Sequence, residues 1–217
     1  DENTAVVRFP RSLVEESLRA APREFVLGAR RPGCDLHMNG GDCTLLVDGE
    51  AMFVIDRQTG ERRPSTFNDW LEATRLIDAV DEIGVYWQMV EGGREEANWL
   101  LEIMGVVFGD QETIRRTHPV SFLLCPQSPL IIEGPPTDAY LALIDWDVPV
   151  AVMPMPLMGA TAPASLAATI LQGNCEVLAT LCLAQAAAPG TPFIYAPALA
   201  VIDPRAGRYG GGPIEQG

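Results

Sequence analysis

The chain has 217 residues, enough to bury a sizeable core as one large domain or two small ones. Hydrophobic residues make up 47% and charged residues 20%, which is typical of a globular protein and excludes a disordered one. The 15 Lys and Arg against 29 Asp and Glu give a formal charge of −14, so the surface repels both nucleic-acid backbones and anionic membranes. We therefore expect no nucleic-acid partner and no membrane partner.

The first part of the chain, residues 1–64, predicts a small β-rich N-terminal portion. A helix is expected over 10–19, where Ser12 and Glu15 have the spacing of a capping box. Strand-like segments separated by Gly-containing turns such as Asp48-Gly49 are expected at 24–29, 44–47 and 52–55.

From Thr66 the pattern changes to alternating helices and strands. Thr66 and Asp69 predict a capped helix. Further helices are expected at 96–108, 137–146 and 163–187, and strands at 83–90, 120–125, 148–153 and 192–196. The strands are continuous apolar runs, which is typical of a parallel sheet buried on both faces. Both an eight-stranded barrel and an open doubly wound sheet fit, although no Gly-x-Gly-x-x-Gly follows a strand.

Cysteine usage and chain ends bear on the compartment. The five cysteines have no framework spacing and are interpreted as buried free thiols in a reducing cytosol, so we expect a cytoplasmic protein. Cys34, His37 and Cys43 would supply only three zinc ligands, so we expect no metal site, and His37 and His118 are interpreted as structural.

The chain contains no run of about 18 apolar residues, so we expect no membrane-spanning segment. Because the chain lacks an initiator Met and ends after a loop at Gly217, we expect it to be a piece of a longer protein.

One segment carries a resemblance to a known family. Residues 149–163, PVAVMPMPLMGATAP, are similar to the strand-and-loop signature of the trimethylamine methyltransferase family. The likeness extends to several further segments, namely Glu61–Pro64 with Thr66, Cys125–Leu130, Gln172, Asn174–Ala179, Leu183–Gln185, Pro189–Pro192, Ile194-Tyr195, Asp203, Arg205, Gly207 and Gly212–Glu215.

The resemblance implies both a fold and an activity. The fold is a TIM-type (β/α) barrel, here incomplete, with residues 65–217 as its first half and 1–64 as the N-terminal portion. The activity is transfer of a methyl group from a tertiary or quaternary amine, such as glycine betaine or trimethylamine, to Co(I) of a cobalamin. A separate corrinoid protein carries that cobalamin, so no cofactor is expected to be tightly bound to this chain.

Two departures from the family limit what the resemblance implies. Between Val90 and Arg94 the family has about one further βα unit, where this chain has only Glu91-Gly92-Gly93. The later strands are also absent, and with them the position at which trimethylamine enzymes carry pyrrolysine and betaine enzymes an ordinary residue. The exact substrate and the oligomeric state, a homo-oligomer included, therefore stay open.

Candidate site residues follow from the rule that a barrel carries its site at the carboxyl ends of its strands. A quaternary ammonium is held by aromatic faces and carboxylates, and a carboxylate tail by Arg or backbone N–H groups. No catalytic residue is assigned. The substrate-binding candidates are Trp87, Gln88, Gln127, Ser128, Met155, Thr161, Glu176, Tyr195, Asp203 and Arg205.

Several candidates have structural alternatives. Core packing explains Trp87 as well as a cation contact does, and Thr161 is favoured as the cap of the long helix. Glu176 lies inside an apolar helix, so it is either buried with a partner or faces a neighbouring loop. Asp203 and Arg205 form either a surface ion pair or part of the site.

Two other functions remain open at this point. A non-catalytic relative would bind a quaternary amine or the corrinoid partner without methyl transfer. A different barrel enzyme would act on phosphorylated substrates, but the acidic charge argues against it. Gly210-Gly211-Gly212 does not directly follow a strand and is interpreted as a mobile loop and not as a phosphate cradle.

Overall fold

The computed structural model describes residues 5–39, 41 and 44–210. The helices are α1 Arg11–Ala20, α2 Phe67–Asp78, α3 Arg94–Val107, α4 Gln111–Thr117, α5 Gly134–Leu143 and α6 Leu166–Ala187, with a 3₁₀ turn at Ile144–Trp146. The strands are β1 Phe25–Leu27, β2 Leu36–Met38, β3 Leu45–Asp48, β4 Phe53–Ile55, β5 Arg62–Pro64, β6 Ile83–Gln88, β7 Ser121–Leu124, β8 Val150–Val152, β9 Leu157–Met158, β10 Phe193–Tyr195, β11 Ala200–Asp203 and β12 Arg208–Gly210. Every helix and strand predicted after Thr66 is confirmed, with shifted ends.

The described residues fall into two compact units. The sheet unit comprises residues 23–124 and 134–151. The long-helix unit comprises the described parts of 1–22, 125–133 and 152–217. The domain boundary expected at residue 64 stays a prediction.

A five-stranded parallel sheet flanked by helices confirms the α/β class. The strand order is β3-β6-β7-β8-β10, and the boundary between the two units falls within β8. The five strands lie in the sheet in the same order as along the chain, with at least one helix between each neighbouring pair, and the order never reverses. The sequence places β3 in the β-rich N-terminal portion, but it is an end strand of this sheet and pairs in parallel with β6.

The short elements were missed by the sequence analysis. They are β2, β5, β9, β11, β12 and α4. The strands among them have two to four residues, too few for an alternating pattern to stand out. The seven residues of α4 bury only Ile114, but its Asp110 cap, which accepts the Thr113 N–H at 2.9 Å, follows a recognisable pattern.

The capping box predicted at the start of α2 is confirmed. The Thr66 side chain accepts the Asp69 N–H at 3.4 Å, and the Asp69 carboxylate accepts the Thr66 N–H at 2.8 Å. The Arg63 guanidinium donates two bonds, of 2.7 and 2.9 Å, to the same carboxylate. The hydrogen bonds from Arg63, and to a lesser extent those from Thr66, hold the pKa of the Asp69 carboxyl well below its usual range. One carboxylate thus fixes both the helix start and the β5 strand before it.

The capping box predicted at Ser12 and Glu15 is wrong. Helix α1 begins at Arg11 with Pro10 as its N-cap, and no side-chain hydrogen bond caps it. The fixed φ of proline suits the start of a helix, so Ser12 already lies inside the first turn. Glu15 pairs with Arg11 at 2.7 Å along the helix instead.

Helix α6 qualifies by length and composition as a membrane span, contrary to our expectation that no segment would. Its 22 residues include a window of mean hydropathy 1.4, of which 39% is buried. The indication is weak, because the core helix of a globular domain meets the same criteria. In this chain α6 packs against α1 and carries the buried, hydrogen-bonded Glu176.

Replacing Thr66 by Ala is expected to lower the free energy of unfolding by about 1 kcal/mol, because the Asp69 N–H loses its acceptor. Urea unfolding followed by circular dichroism measures the change. The control is Ser12→Ala, which removes a hydroxyl from a helix start where it makes no cap bond, and should change the free energy by less than about 0.5 kcal/mol. Equal losses in the two variants would contradict the assigned difference between the two helix starts.

Candidate functional site

The two faces of β6 and β7 have different neighbours. The Tyr86 hydroxyl lies 3.0 Å from a hydroxyl of α2, and the Phe122 ring stacks on Tyr140 of α5. Because side chains alternate along a strand, Trp87 and Ser121 point to the opposite face of the sheet. These two residues are register partners and therefore neighbours on that face.

Trp87 and Ser121 are both buried, and their Nε1 and Oγ atoms have no hydrogen-bond partner among the described residues. A buried polar group without a partner costs about 1–3 kcal/mol. The burial of Trp87 agrees with core packing, and its contact with a substrate stays a prediction. Gln88 is the register partner of Phe122 and lies with its buried amide next to the Tyr86 hydroxyl.

A buried carboxylate that the sequence analysis missed lies directly after β3. The Tyr86 hydroxyl donates to Glu50 Oε1 at 2.6 Å, and the Met89 N–H donates to Oε2 at 2.9 Å. Thr74 on α2 shares a hydrogen bond with the Tyr86 hydroxyl. Glu50 thereby connects the carboxyl ends of β3 and β6 to each other and to the helix layer. No local pattern marks Glu50, because its partners are 36 and 39 residues away.

Burial raises the pKa of Glu50 to about 7, against the lowering effect of the hydrogen bonds from Tyr86 and Met89. Burial and the neighbouring Glu50 carboxylate together raise the pKa of Tyr86. The carboxyl of Glu50 therefore changes charge near neutral pH, while the Tyr86 phenol stays protonated and donates to it.

The close approach of the strands next to Glu50 requires glycine. Gly49, which we interpreted as part of a turn, donates its N–H to the Trp87 carbonyl at 2.7 Å. A Cβ at this position would lie 2.8 Å from that carbonyl oxygen and 2.9 Å from the Tyr86 ring. Any side chain at Gly49 would thus separate the ends of β3 and β6.

In the long-helix unit a second buried carboxylate, Glu176 on α6, fastens a loop. Its side chain is 2% exposed and accepts hydrogen bonds from three donors. The Ser128 hydroxyl donates at 2.8 Å, the Leu130 N–H at 2.9 Å and the Gln172 amide at 3.0 Å. Both alternatives for Glu176 hold together, because it is buried with hydrogen-bond partners and two of them, Ser128 and Leu130, belong to the loop that directly follows β7 in the chain.

The loop bound by Glu176 is closed by its own backbone. Gln127 and Ile131 exchange two N–H···O bonds of 2.9 Å each. Leu130 has a φ of 58°, in the left-handed region that non-glycine residues rarely adopt. The predicted site residues Gln127, Ser128 and Glu176 are therefore brought together in this unit.

Thr161 has a different role from the one favoured by sequence. Helix α6 begins after Ser165, whose side chain makes no cap bond, so Thr161 does not cap it. The Thr161 hydroxyl instead accepts the Leu157 N–H at 2.9 Å, and its carbonyl accepts the Gln172 amide at 2.9 Å. Gln172 thus links Thr161 to Glu176.

Met155 and Tyr195 are exposed in the long-helix unit. Met155 follows β8 in an extended segment, and Tyr195 ends β10 with its hydroxyl 3.3 Å from the Asn174 side-chain oxygen. Neither is tucked into the core, so both are accessible as the site prediction requires. Their contact with a substrate stays a prediction.

Asp203 and Arg205 form a backbone turn and not the surface ion pair offered as an alternative. The Asp203 carboxylate accepts the backbone N–H of Arg205 at 2.9 Å, and the ion pairs among the described residues do not include these two. An Asp that bonds the backbone two residues on is a common turn. It leaves the Arg205 guanidinium outside this interaction.

A small cavity of about 70 Å³ lies at the amino ends of β6 and β7, where Ile83, Gly84 and Pro119 contribute to its wall. Arg30 and Arg31 also line it, but they donate to helix carbonyls at 2.6 and 2.8 Å. This end of the sheet is opposite to the carboxyl ends at which the site is predicted. We therefore do not identify this cavity with the predicted site.

The described part of the chain contains no group of three or more His, Cys, Asp or Glu arranged to hold a metal ion. Cys43 of the weighed zinc set and Gly211-Gly212 of the glycine run lie outside the described residues. Among the described cysteines, Cys34 and Cys175 are exposed, so the expectation that all are buried is wrong.

Comparison with known proteins places this geometry in context. A family model described as trimethylamine methyltransferase (MTTB) matches residues 2–93 and 85–216, two segments that overlap at 85–93. Trimethylamine methyltransferase MttB of Desulfitobacterium hafniense (strain DSM 10664 / DCB-2) is 28% identical over 233 residues, which cover 94% of this chain and 47% of that protein.

Two further methyltransferases show a similar identity and coverage. Glycine betaine methyltransferase of Desulfitobacterium hafniense (strain Y51) is 29% identical, over 93% of this chain and 48% of that protein. Trimethylamine methyltransferase MttB1 of Methanosarcina acetivorans is 26% identical over 251 residues, which cover 100% of this chain and 51% of that protein. The chain spans about half the length of the curated relatives it matches.

We expect the stability of the chain to fall as pH rises from about 4.5 to 7. In this window the folded state keeps a proton on Glu50 that the unfolded chain, with its ordinary pKa, has lost. The contribution of Glu50 to the free energy of unfolding falls by roughly 3 kcal/mol across this pH window. Glu50→Gln should flatten the dependence of stability on pH, while the exposed control Glu82→Gln should leave it unchanged. Urea unfolding at several pH values measures the stability of both variants. A Glu50→Gln profile parallel to that of the wild type would contradict this role.

Removal of the Glu176 carboxylate should release the loop after β7. Glu176→Ala leaves the Leu130 N–H and the Ser128 hydroxyl without an acceptor, at a cost of about 1–3 kcal/mol each if they stay buried, while Gln172 keeps its bond to the Thr161 carbonyl. Hydrogen exchange at the Leu130 amide is expected to accelerate in Glu176→Ala, and to be almost unchanged in Ser128→Ala, which keeps the carboxylate. The Leu157 amide, bonded to Thr161, is the internal control. Unchanged protection at Leu130 would contradict the clamp.

Proposed function

This chain belongs to the trimethylamine methyltransferase family, and we propose that it forms part of an enzyme that moves a methyl group from a tertiary or quaternary amine to a reduced corrinoid. The observation that carries the proposal is the family match over residues 2–93 and 85–216, together nearly the whole chain. The relatives named for trimethylamine and for glycine betaine support these two amines as candidate substrates. We propose that a separate protein delivers the corrinoid as methyl acceptor in the cytoplasm.

We further propose that the sheet is part of a TIM-type barrel. Its strand order follows the chain order without reversal, as in a barrel, whereas a doubly wound sheet reverses its order at a switch point. Five strands are too few to close a barrel of eight, and the relatives have about twice the length of this chain. The remaining strands would belong to the rest of the longer protein.

We also propose that this chain lacks one βα unit between β6 and β7. The family match restarts at residue 85 after reaching residue 93, as expected if one strand of this chain aligns with two strands of the family. The 251 aligned positions of the Methanosarcina acetivorans protein exceed the 217 residues of this chain by 34, about the size of one such unit. In the structure β6 and β7 are direct neighbours.

Methyl transfer from the amine depends on positioning of the reactants more than on acid or base catalysis. When the N–C bond of a quaternary ammonium, or of a tertiary amine that carries a proton on nitrogen, breaks, the electron pair stays on nitrogen and a neutral amine leaves, so the step needs no further proton donor. The reduced corrinoid supplies the nucleophile. The residues of this chain would hold the methyl group in line and exclude water. Aromatic side chains such as Trp87 and Tyr195 suit a methylated cation, and Arg205 suits a carboxylate tail.

The test is methyl transfer with the full-length protein. Reduced cobalamin, or a corrinoid protein reduced to Co(I), is incubated with trimethylamine, glycine betaine and related amines, and methylcobalamin formation is followed by its absorbance. We expect turnover with at least one methylated amine. If no amine is turned over, although calorimetry detects tight binding of one, the protein is a binding relative and the proposal fails. The absence of both turnover and binding would remove the amine assignment altogether.

A further inference from the structure

The loop between Gln127 and Ile131 holds one residue in an unfavourable backbone conformation. Leu130 has a φ of 58°, which costs a non-glycine residue free energy that glycine would not pay. Its side chain is 65% exposed, so packing within this chain does not compensate for the strain. Strain of this kind persists only where the surroundings fix it, and it is concentrated at functional sites.

What fixes Leu130 is the Glu176 carboxylate. The Leu130 N–H donates to one carboxylate oxygen at 2.9 Å, and the Ser128 hydroxyl donates to the other at 2.8 Å. Gln172, one turn before Glu176 on α6, donates a third bond at 3.0 Å and so orients the carboxylate. With three donors bound, Glu176 has most of its acceptor capacity engaged by groups of this chain.

The geometry points to Glu176 as a positioning residue and to Leu130 as a substrate-contacting residue. We propose that Glu176 holds the loop after β7 so that the Leu130 side chain packs against the methyl groups of the amine. An exposed leucine on a fixed loop offers an apolar surface to N-methyl groups and excludes water from them. This inference rests on the proposed function, since the amine supplies the apolar surface that Leu130 would cover.

Leu130→Gly separates this role from a structural one. Glycine relieves the left-handed strain and removes little packing, so the thermal midpoint of the variant should be no lower than that of the wild type. The same change removes the proposed contact, so kcat/KM for methyl transfer should fall by about tenfold or more. The loss should be similar for trimethylamine and glycine betaine, because the contact is to methyl groups that both carry. A residue with only a structural role would not lose activity while keeping its stability.

The experiment uses the full-length protein with Leu130→Gly, Glu176→Gln, the double variant and Leu76→Ala. Leu76 lies on α2 with 63% exposure and is the matched control, for which kcat/KM should not change. Glu176→Gln keeps the side-chain size but removes one acceptor oxygen, and should lower kcat/KM in the same substrate pattern. Because Glu176 acts through Leu130, the loss of kcat/KM in the double variant should be no greater than the larger of the two single-variant losses.

The outcomes separate this inference from the proposed function. If the wild type transfers methyl groups while Leu130→Gly keeps its kcat/KM, the inference is overturned and the proposed function stands. Losses that add up in the double variant would overturn the link between Glu176 and Leu130. A wild type that transfers no methyl group would overturn the proposed function, and this inference with it.

Discussion

Two buried carboxylates hold the chain after two neighbouring strands, each in the same way. Glu50 accepts the backbone N–H of Met89, just after β6, and the hydroxyl of Tyr86. Glu176 accepts the backbone N–H of Leu130, after β7, and the hydroxyl of Ser128. A carboxylate is well suited to this task, because its two oxygens accept several bonds at once and charged acceptors bind more strongly than neutral ones. The conformation of both segments depends on these bonds, since neither segment belongs to a regular element.

The two carboxylates differ in what surrounds them. Glu50 receives one hydroxyl and one backbone N–H, and burial raises its pKa to about 7. Glu176 receives a third donor from Gln172, one turn earlier on the same helix. The charge of Glu50 therefore depends on pH near neutrality, and Glu176 accepts one hydrogen bond more than Glu50 does. A segment that has to keep one conformation is better served by the second arrangement.

The five-stranded sheet has two edges whose end strands carry exposed apolar side chains. On the end strand β3, Leu45 and Leu46 are both exposed. On the other end strand, β10, Tyr195 is exposed as well. Open sheet edges with apolar side chains favour additional pairing, and closure into a barrel removes such edges. The proposed barrel and the half-length match to the relatives account for these edges in the same way.

The sequence by itself determined the features that depend on neighbours along the chain. The capping box of Thr66 and Asp69, the alternation of helices and strands after it, and the family signature at 149–163 all follow from local patterns. Tertiary structure alone decided that β3 joins the sheet, that Glu50 meets Tyr86 across 36 residues, and that Glu176 binds Ser128 across 48. The physical reason is that a buried carboxylate needs donors, and the sequence does not say which distant donors the fold will bring within 3 Å.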